Sequence, residues 1–123
     1  MNKVVLSLGS NCGEREKSVR QAIGWLSRVL GDARCSTIYE TPEMYGKGAP
    51  YMNAVMIAES RYDYAELNCC LKQYELRCGR DEACRQRGDV PIDIDLVIWN
   101  NAVVRTIDYS ARFFRIGYEE LGI

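Results

Sequence analysis

The chain predicts an α+β fold, a mainly antiparallel sheet with two helices packed on one face, from its order of segments: strand, helix, strand, strand, helix, strand. Three observations carry this order. Short β-branched runs end in Gly, Pro or Asn punctuation, and two longer segments repeat apolar residues at intervals of three and four. A final apolar run, VPIDIDLVIW, alternates cleanly but carries two carboxylates.

Residues 3–8 (KVVLSL) read as a first strand, stopped by Gly-Ser-Asn. From Glu14 the pattern turns helical, with Val19, Ala22, Ile23, Leu26, Val29 and Leu30 on one face and Gly31 just past the end. Residues 35–41 (CSTIYET) predict a second strand closed by Pro42, and residues 43–50 a glycine-containing loop. Residues 51–59 (YMNAVMIAE) alternate as a third strand, and a hairpin with the second would set that loop at their junction. A second helix is expected from Asp63, a good N-cap, to about Cys78, with Leu67, Leu71, Tyr74 and Leu76 among its apolar positions and Gly79 as its stop. Residues 80–89 are charged and read as a loop, and residues 90–99 form the fourth strand. Beyond Trp99 the pattern weakens: a turn at Asn100 and Asn101, a short strand over 102–107, and a partly helical aromatic segment over 109–121. The element order is that of the ferredoxin-like βαββαβ sandwich.

At 123 residues, one compact domain over the whole chain is expected. Hydrophobic residues at 47% and charged residues at 27% are ordinary for a globular protein and exclude a disordered one. Sixteen basic residues nearly cancel seventeen acidic ones, so no general attraction to nucleic acid is expected. No apolar stretch suits a signal peptide or membrane helix, and a cytoplasmic location is expected. The six cysteines lack paired metal or redox spacing and are expected as free thiols. Histidine is absent, which removes every Ser-His-Asp or Cys-His nucleophile and leaves carboxylates, Arg, Lys, Tyr and metal ions for any chemistry.

Asp93 and Asp95 project to one side of their strand while Ile92, Ile94 and Leu96 project to the other. Residues two apart on a strand lie roughly 7 Å apart, within reach of one hard cation or of two. Magnesium fits, because it takes one or two protein carboxylates and fills its shell from water and phosphate. The same pattern also suits the solvated face of a half-buried sheet. Arg80, Arg85 and Arg87 just upstream favour the first reading, since guanidinium groups match phosphate oxygens; a plain exposed basic loop is the alternative for them.

Five segments in order, LSLGSN (6–11), YETPEM (39–44), YMNAV (51–55), YELRCGR (74–80) and DIDLV (93–97), resemble the 6-hydroxymethyl-7,8-dihydropterin pyrophosphokinase family of the folate pathway. The resemblance spans residues 1–101, and 102–123 is a divergent C-terminal tail. It implies a similar ferredoxin-like fold and transfer of the pyrophosphoryl group of ATP to the pterin hydroxymethyl oxygen. It also implies two magnesium ions on Asp93 and Asp95, with Arg80 beside them in the catalytic set. Thr41, Pro42 and Met44 fall where the family's loop offers backbone contacts to the pterin, Tyr51 where a ring stacks on it, and Asn53 where its edge is hydrogen-bonded. Glu75 matches a position near the nucleotide, with Arg85 and Arg87 in the loop expected to close over it. Tyr51 and Asn53 also suit an ordinary strand opening, and Glu75 a solvated helix residue. The family's histidine-containing segment has no counterpart past Trp99, where Arg105, Arg112 and Arg115 offer cations and Phe113, Phe114 or Tyr118 a second aromatic face. The partners implied are a pterin and ATP. A non-catalytic pterin or nucleotide binding module is the alternative reading, a plain structural or interaction domain is a third, and the sequence gives no oligomeric state.

Overall fold

The computed structural model describes residues 1–122. The elements are β1 (Asn2–Ser10), α1 (Arg15–Val29), β2 (Gly31–Cys35), β3 (Tyr39–Thr41), β4 (Tyr51–Ser60), α2 (Tyr64–Arg77), α3 (Glu82–Arg87), β5 (Asp93–Trp99), β6 (Ala102–Val103), α4 (Thr106–Ser110) and α5 (Arg112–Glu120). All strand pairs are antiparallel; the sheet runs β2-β4-β1-β5-β6, with β3 also paired to β4. The architecture is α+β.

One face of the sheet carries Val4, Leu6 and Leu8 of β1, Ala54, Met56 and Ala58 of β4, and Ile94 and Leu96 of β5. These pack against Val19, Ala22 and Leu26 of α1 and Leu67 and Leu71 of α2. The helical periodicity read from sequence therefore lands on the core. The second helix starts as its cap requires: Asp63 accepts from the Glu66 amide, and Glu66 returns a bond to the Asp63 amide at 3.0 Å. Gly79, at φ +94°, ends it.

The expectation of helices on one face alone is corrected. The second face is covered as well, by Phe114 of α5 packed on Val5, Val55, Val97 and Ile98. Val4 through Ser10 of β1 are all buried, so neither face of that strand meets water. The tail past residue 101 supplies the missing layer. α5 sits unusually close to the sheet. A Cβ on Gly117 would lie 2.7 Å from Val55, 2.8 Å from the Tyr39 hydroxyl and 2.9 Å from the Ser36 hydroxyl.

Three local departures occur. The strand expected over 35–41 is broken into β2 and β3, because Ser36 intrudes, its amide donating to Val55 O and its hydroxyl accepting the Val55 amide, both at 2.9 Å. Gly31 follows the C-cap Leu30, just past the end of the first helix as expected, and is also the first residue of β2. The charged loop over 80–89 contains α3, capped by the Asp81 carboxylate on the Cys84 amide and ended by left-handed Gly88. The strand expected over 102–107 is only β6, and α4 begins at Thr106.

β5 also contains a bulge. Leu6 pairs with Leu96 and Val5 with Ile98, so Val97 is an extra residue. Val97 and Ile98 consequently both enter the second core. The Val97 carbonyl accepts from the amides of Val104 (2.9 Å) and Arg105 (3.4 Å). All six cysteines are free thiols. No helix among the described residues is long and apolar enough to cross a membrane.

Candidate active site

A cavity of about 220 Å³ opens at the end of the sheet where β1, β3, β4 and β5 meet. Its walls include Gly9, Thr41, Pro42, Met44, Tyr51, Asn53, Asp93 and Phe113. The five residues expected to contact a pterin therefore share one cleft, and one of the paired aspartates borders it. Register explains the convergence: Gly9 lies opposite Asn53 on β4 and opposite Asp93 on β5. Gly9 also keeps the cleft open, since a Cβ there would come within 3.2 Å of the Tyr51 ring and 3.4 Å of Asn53 Oδ1.

Asn53 is buried and fixed. Its amide nitrogen donates to Thr41 Oγ1 at 2.7 Å and to Tyr51 O at 3.2 Å, which leaves Oδ1 as an acceptor on the side of Gly9. The loop of residues 42–50 is closed on itself by Glu43, whose carboxylate accepts from the Tyr45 and Lys47 amides; those bonds hold it below the usual carboxylate range. Arg15 ties the far end of the loop, donating to Pro50 O at 2.9 Å and to Glu40 at 2.8 Å.

Beside this cleft lies a cluster of three acids and three bases. Arg80 donates to Asp93 Oδ1 at 2.6 Å and pairs with Glu75 at 3.1 Å. Lys72 lies 3.3 Å from both Glu75 Oε2 and Asp95 Oδ1, and Arg105 lies 3.9 Å from Asp95. Glu75 also takes the Ile94 amide at 2.8 Å, satisfying a buried donor of β5. Asp93 and Asp95 lie near enough for each to shift the other's titration. Burial, then the charge of Asp93, pushes Asp95 up to about 7, against the pull of Lys72 and Arg105. Burial would raise Asp93 too, but neighbouring Asp95, the bond from Arg80 and the charges of Arg80 and Lys72 hold it below the usual aspartate range.

Two neighbouring carboxyl groups on one face of a strand, one of them raised by the charge of the other, form a site for a hard cation. Among the described residues no group of three or more His, Cys, Asp or Glu side chains gathers to hold a metal ion. Magnesium would thus draw its other ligands from water and phosphate, as it commonly does, and the donor set fits it.

The loop arginines separate. Arg85 joins Lys72, Glu75, Leu76 and Arg80 around a second cavity of about 280 Å³. Arg87 turns away, donating to Asp89 at 2.9 Å. Two residues of weight here were not singled out from sequence. Lys72 sits one helical turn before Glu75, and that i, i+3 spacing was the available signal. Phe113 was one of three equal aromatics; it lines the 220 Å³ cavity, whereas Phe114 fills the second core.

Residues 5–117 match the family model of 7,8-dihydro-6-hydroxymethylpterin-pyrophosphokinase (HPPK), well past residue 101 where the motif resemblance ends. The chain is 36% identical over 107 residues to the folate synthesis bifunctional protein of Chlamydia trachomatis, covering 81% of this chain and 24% of that one. It is 33% identical over 107 residues to the 2-amino-4-hydroxy-6-hydroxymethyldihydropteridine pyrophosphokinase of Aquifex aeolicus, covering 86% of this chain and 66% of the relative. The Bacillus subtilis protein of the same name is 31% identical over 110 residues, with 86% and 65% covered. The chain therefore spans about a quarter of the bifunctional relative and just under two thirds of the single-function ones. With a family model covering most of its length, the chain belongs to the 7,8-dihydro-6-hydroxymethylpterin-pyrophosphokinase family.

Proposed function

We propose that the protein transfers the pyrophosphoryl group of ATP to the hydroxymethyl oxygen of 6-hydroxymethyl-7,8-dihydropterin in folate synthesis, in a magnesium-dependent reaction. The observation that carries this reading is the shared cleft: Tyr51, Asn53 and Asp93 border one cavity, and Asp95 adjoins Asp93. Family membership and the names of the relatives support the chemistry. The strand order β2-β4-β1-β5 with α1 and α2 on one face supports a ferredoxin-like plan for the core.

The chain's own residues would act mainly by positioning. Tyr51 and Phe113 offer aromatic faces to a flat heterocycle, and Asn53 Oδ1 accepts from its edge. Backbone groups of Thr41, Pro42 and Met44 border the same ring site. Arg80 and Arg85 face the cavity beside the aspartates and would hold phosphate oxygens. The hydroxymethyl oxygen attacks the β-phosphorus, the bond from that phosphorus to the bridging α,β oxygen breaks, AMP leaves, and the hydroxyl proton passes to solvent. Two magnesium ions on Asp93 and Asp95, when bound, would neutralise charge on the polyphosphate. The absence of histidine is compatible with such a transfer, because it needs charge neutralisation and alignment more than protein nucleophiles.

The rival reading, a binding module without turnover, draws on the internal pairing of both aspartates with Arg80, Lys72 and Arg105. Isothermal titration separates the two. Pterin binding that tightens with magnesium and a non-hydrolysable ATP analogue supports the enzyme, and pterin binding indifferent to nucleotide supports the module. In a turnover assay Asp95→Asn is expected to abolish product formation; near-normal turnover would remove the aspartates from the reaction.

A further inference from the structure

Lys72 stands out among the bases of the cluster because it is the one closest to Asp95, at 3.3 Å against 3.9 Å for Arg105, and it pairs with Glu75 as well. Its ammonium lies 3.3 Å from Asp95 Oδ1, 3.3 Å from Glu75 Oε2 and 3.4 Å from Ile94 O, so all three of its donors have acceptors. It thus occupies Oδ1 of Asp95, one of the two oxygens open to a divalent ion there. The side chain is nonetheless 44% exposed, and it borders the 280 Å³ cavity together with Arg80 and Arg85. A short swing of its flexible stem would take the ammonium off Asp95 and into that basic cavity.

We propose that Lys72 is a built-in counter-cation that guards Asp95 in the free protein, lowering its affinity for divalent metal until a polyphosphate arrives to draw the ammonium away. This rests on the divalent-cation chemistry proposed above and adds a reason for ordered loading. An ammonium and a divalent ion on one carboxylate repel each other, so each weakens the other's hold. A polyphosphate beside Arg80 and Arg85 gives Lys72 a second anion to bind, relieving that competition exactly where metal and nucleotide must enter together. Arg105, at 3.9 Å, contacts Asp95 more loosely and is held by Asp108 at 2.6 Å, so it is the weaker competitor.

The experiment is a Mn²⁺ titration of the nucleotide-free protein, read by electron paramagnetic resonance of the free ion, for wild type, Lys72→Met and Lys72→Arg, each checked for folding by thermal denaturation. Lys72→Met is expected to bind Mn²⁺ on the order of tenfold more tightly than wild type. Lys72→Arg, which keeps the charge, is expected to stay within about twofold of wild type. A non-hydrolysable ATP analogue should then raise Mn²⁺ affinity more in wild type than in Lys72→Met. Equal or weaker Mn²⁺ binding by Lys72→Met overturns the inference. If wild type still forms product with Mg²⁺ in that case, only the role of Lys72 falls; if wild type neither binds Mn²⁺ nor forms product, the proposed activity falls with it.

Discussion

Asp95 is the residue at which stability and function pull in opposite directions. Its carboxyl is raised from an ordinary 3.8 to about 7, chiefly by burial and by Asp93. The folded chain therefore keeps a proton there that the unfolded chain has already released. Between about pH 4 and pH 7 the native state binds more protons than the unfolded one, so stability falls as pH rises through that window and stays lowered above it. An asparagine mimics the protonated form and carries no such penalty. Asp95→Asn is expected to match wild type in stability near pH 4 and to exceed it by about 2 kcal/mol at pH 8, less than the Asp95 shift alone implies because the lowered Asp93 of the same pair acts in the opposite direction. Equal midpoints at both pH values would show that the carboxyl is not held up by its surroundings. The same variant is the one expected to lose turnover, which places strain at a working site rather than in the scaffold.

At the level of elements, the decisive one is α5, because it closes the second core and carries Phe113 into the cleft. The Tyr39 hydroxyl donates to Phe113 O at 2.5 Å and accepts the Gly117 amide at 3.0 Å, while Glu120 takes the amide and hydroxyl of Thr37. Gly117→Ala would drive a methyl group into Val55, Tyr39 and Ser36, the last two already committed to hydrogen bonds. Overpacking of this kind costs about 1–3 kcal/mol, more than the gain of roughly 1 kcal/mol from helix propensity. A lowered denaturant midpoint is the expected result. Because the shifted helix carries Phe113, pterin affinity should fall while nucleotide affinity holds; an equal loss of both would mean that α5 supports the whole cleft. This element also marks the boundary of what the sequence discloses. Strand alternation and helical spacing placed β1, α1, β4, α2 and β5, since each has one strongly apolar face. α3 and α4 are too short for periodicity to register; α3 depends on the Asp81 cap and on Cys84 burial, and α4 has neither a side-chain cap nor a buried residue. That Thr41, Tyr51, Asn53 and Asp93 would share a cleft was legible because they sit on regular strands, with Pro42 and Met44 in the adjoining loop. On the cation side Arg80 was anticipated beside the aspartates and Arg105 only as one of three spare cations, while Lys72 was not, because the three reach the aspartates from separate segments.

Across the whole molecule, β5 joins two halves that would otherwise be independent. Asp93 borders the aromatic cleft, while Asp95 meets Lys72 and Arg105, and both carboxyl groups belong to one rigid strand buried against β1. The protein's formal charge is only −1, and within the cluster three acids face three bases, so no strong field draws in either a cation or a polyphosphate alone. A divalent ion alone meets the ammonium of Lys72, and a polyphosphate alone meets two carboxylates. Under the proposed activity the two together would cancel each other's obstacles, and a pterin would then pack against a strand whose carboxylates are already neutralised. Binding free energies that depend on one another in this way appear as non-additive stabilisation. Thermal denaturation should show small shifts with Mg²⁺ alone or ATP analogue alone, a larger one with both, and a further shift on adding pterin that exceeds the shift from pterin by itself. A ligand at 100 times its dissociation constant stabilises by about 2.7 kcal/mol, so tenfold mutual tightening would add about 1.4 kcal/mol, a readable difference. Strictly additive shifts would mean that the two halves of the cleft bind without sensing each other through β5.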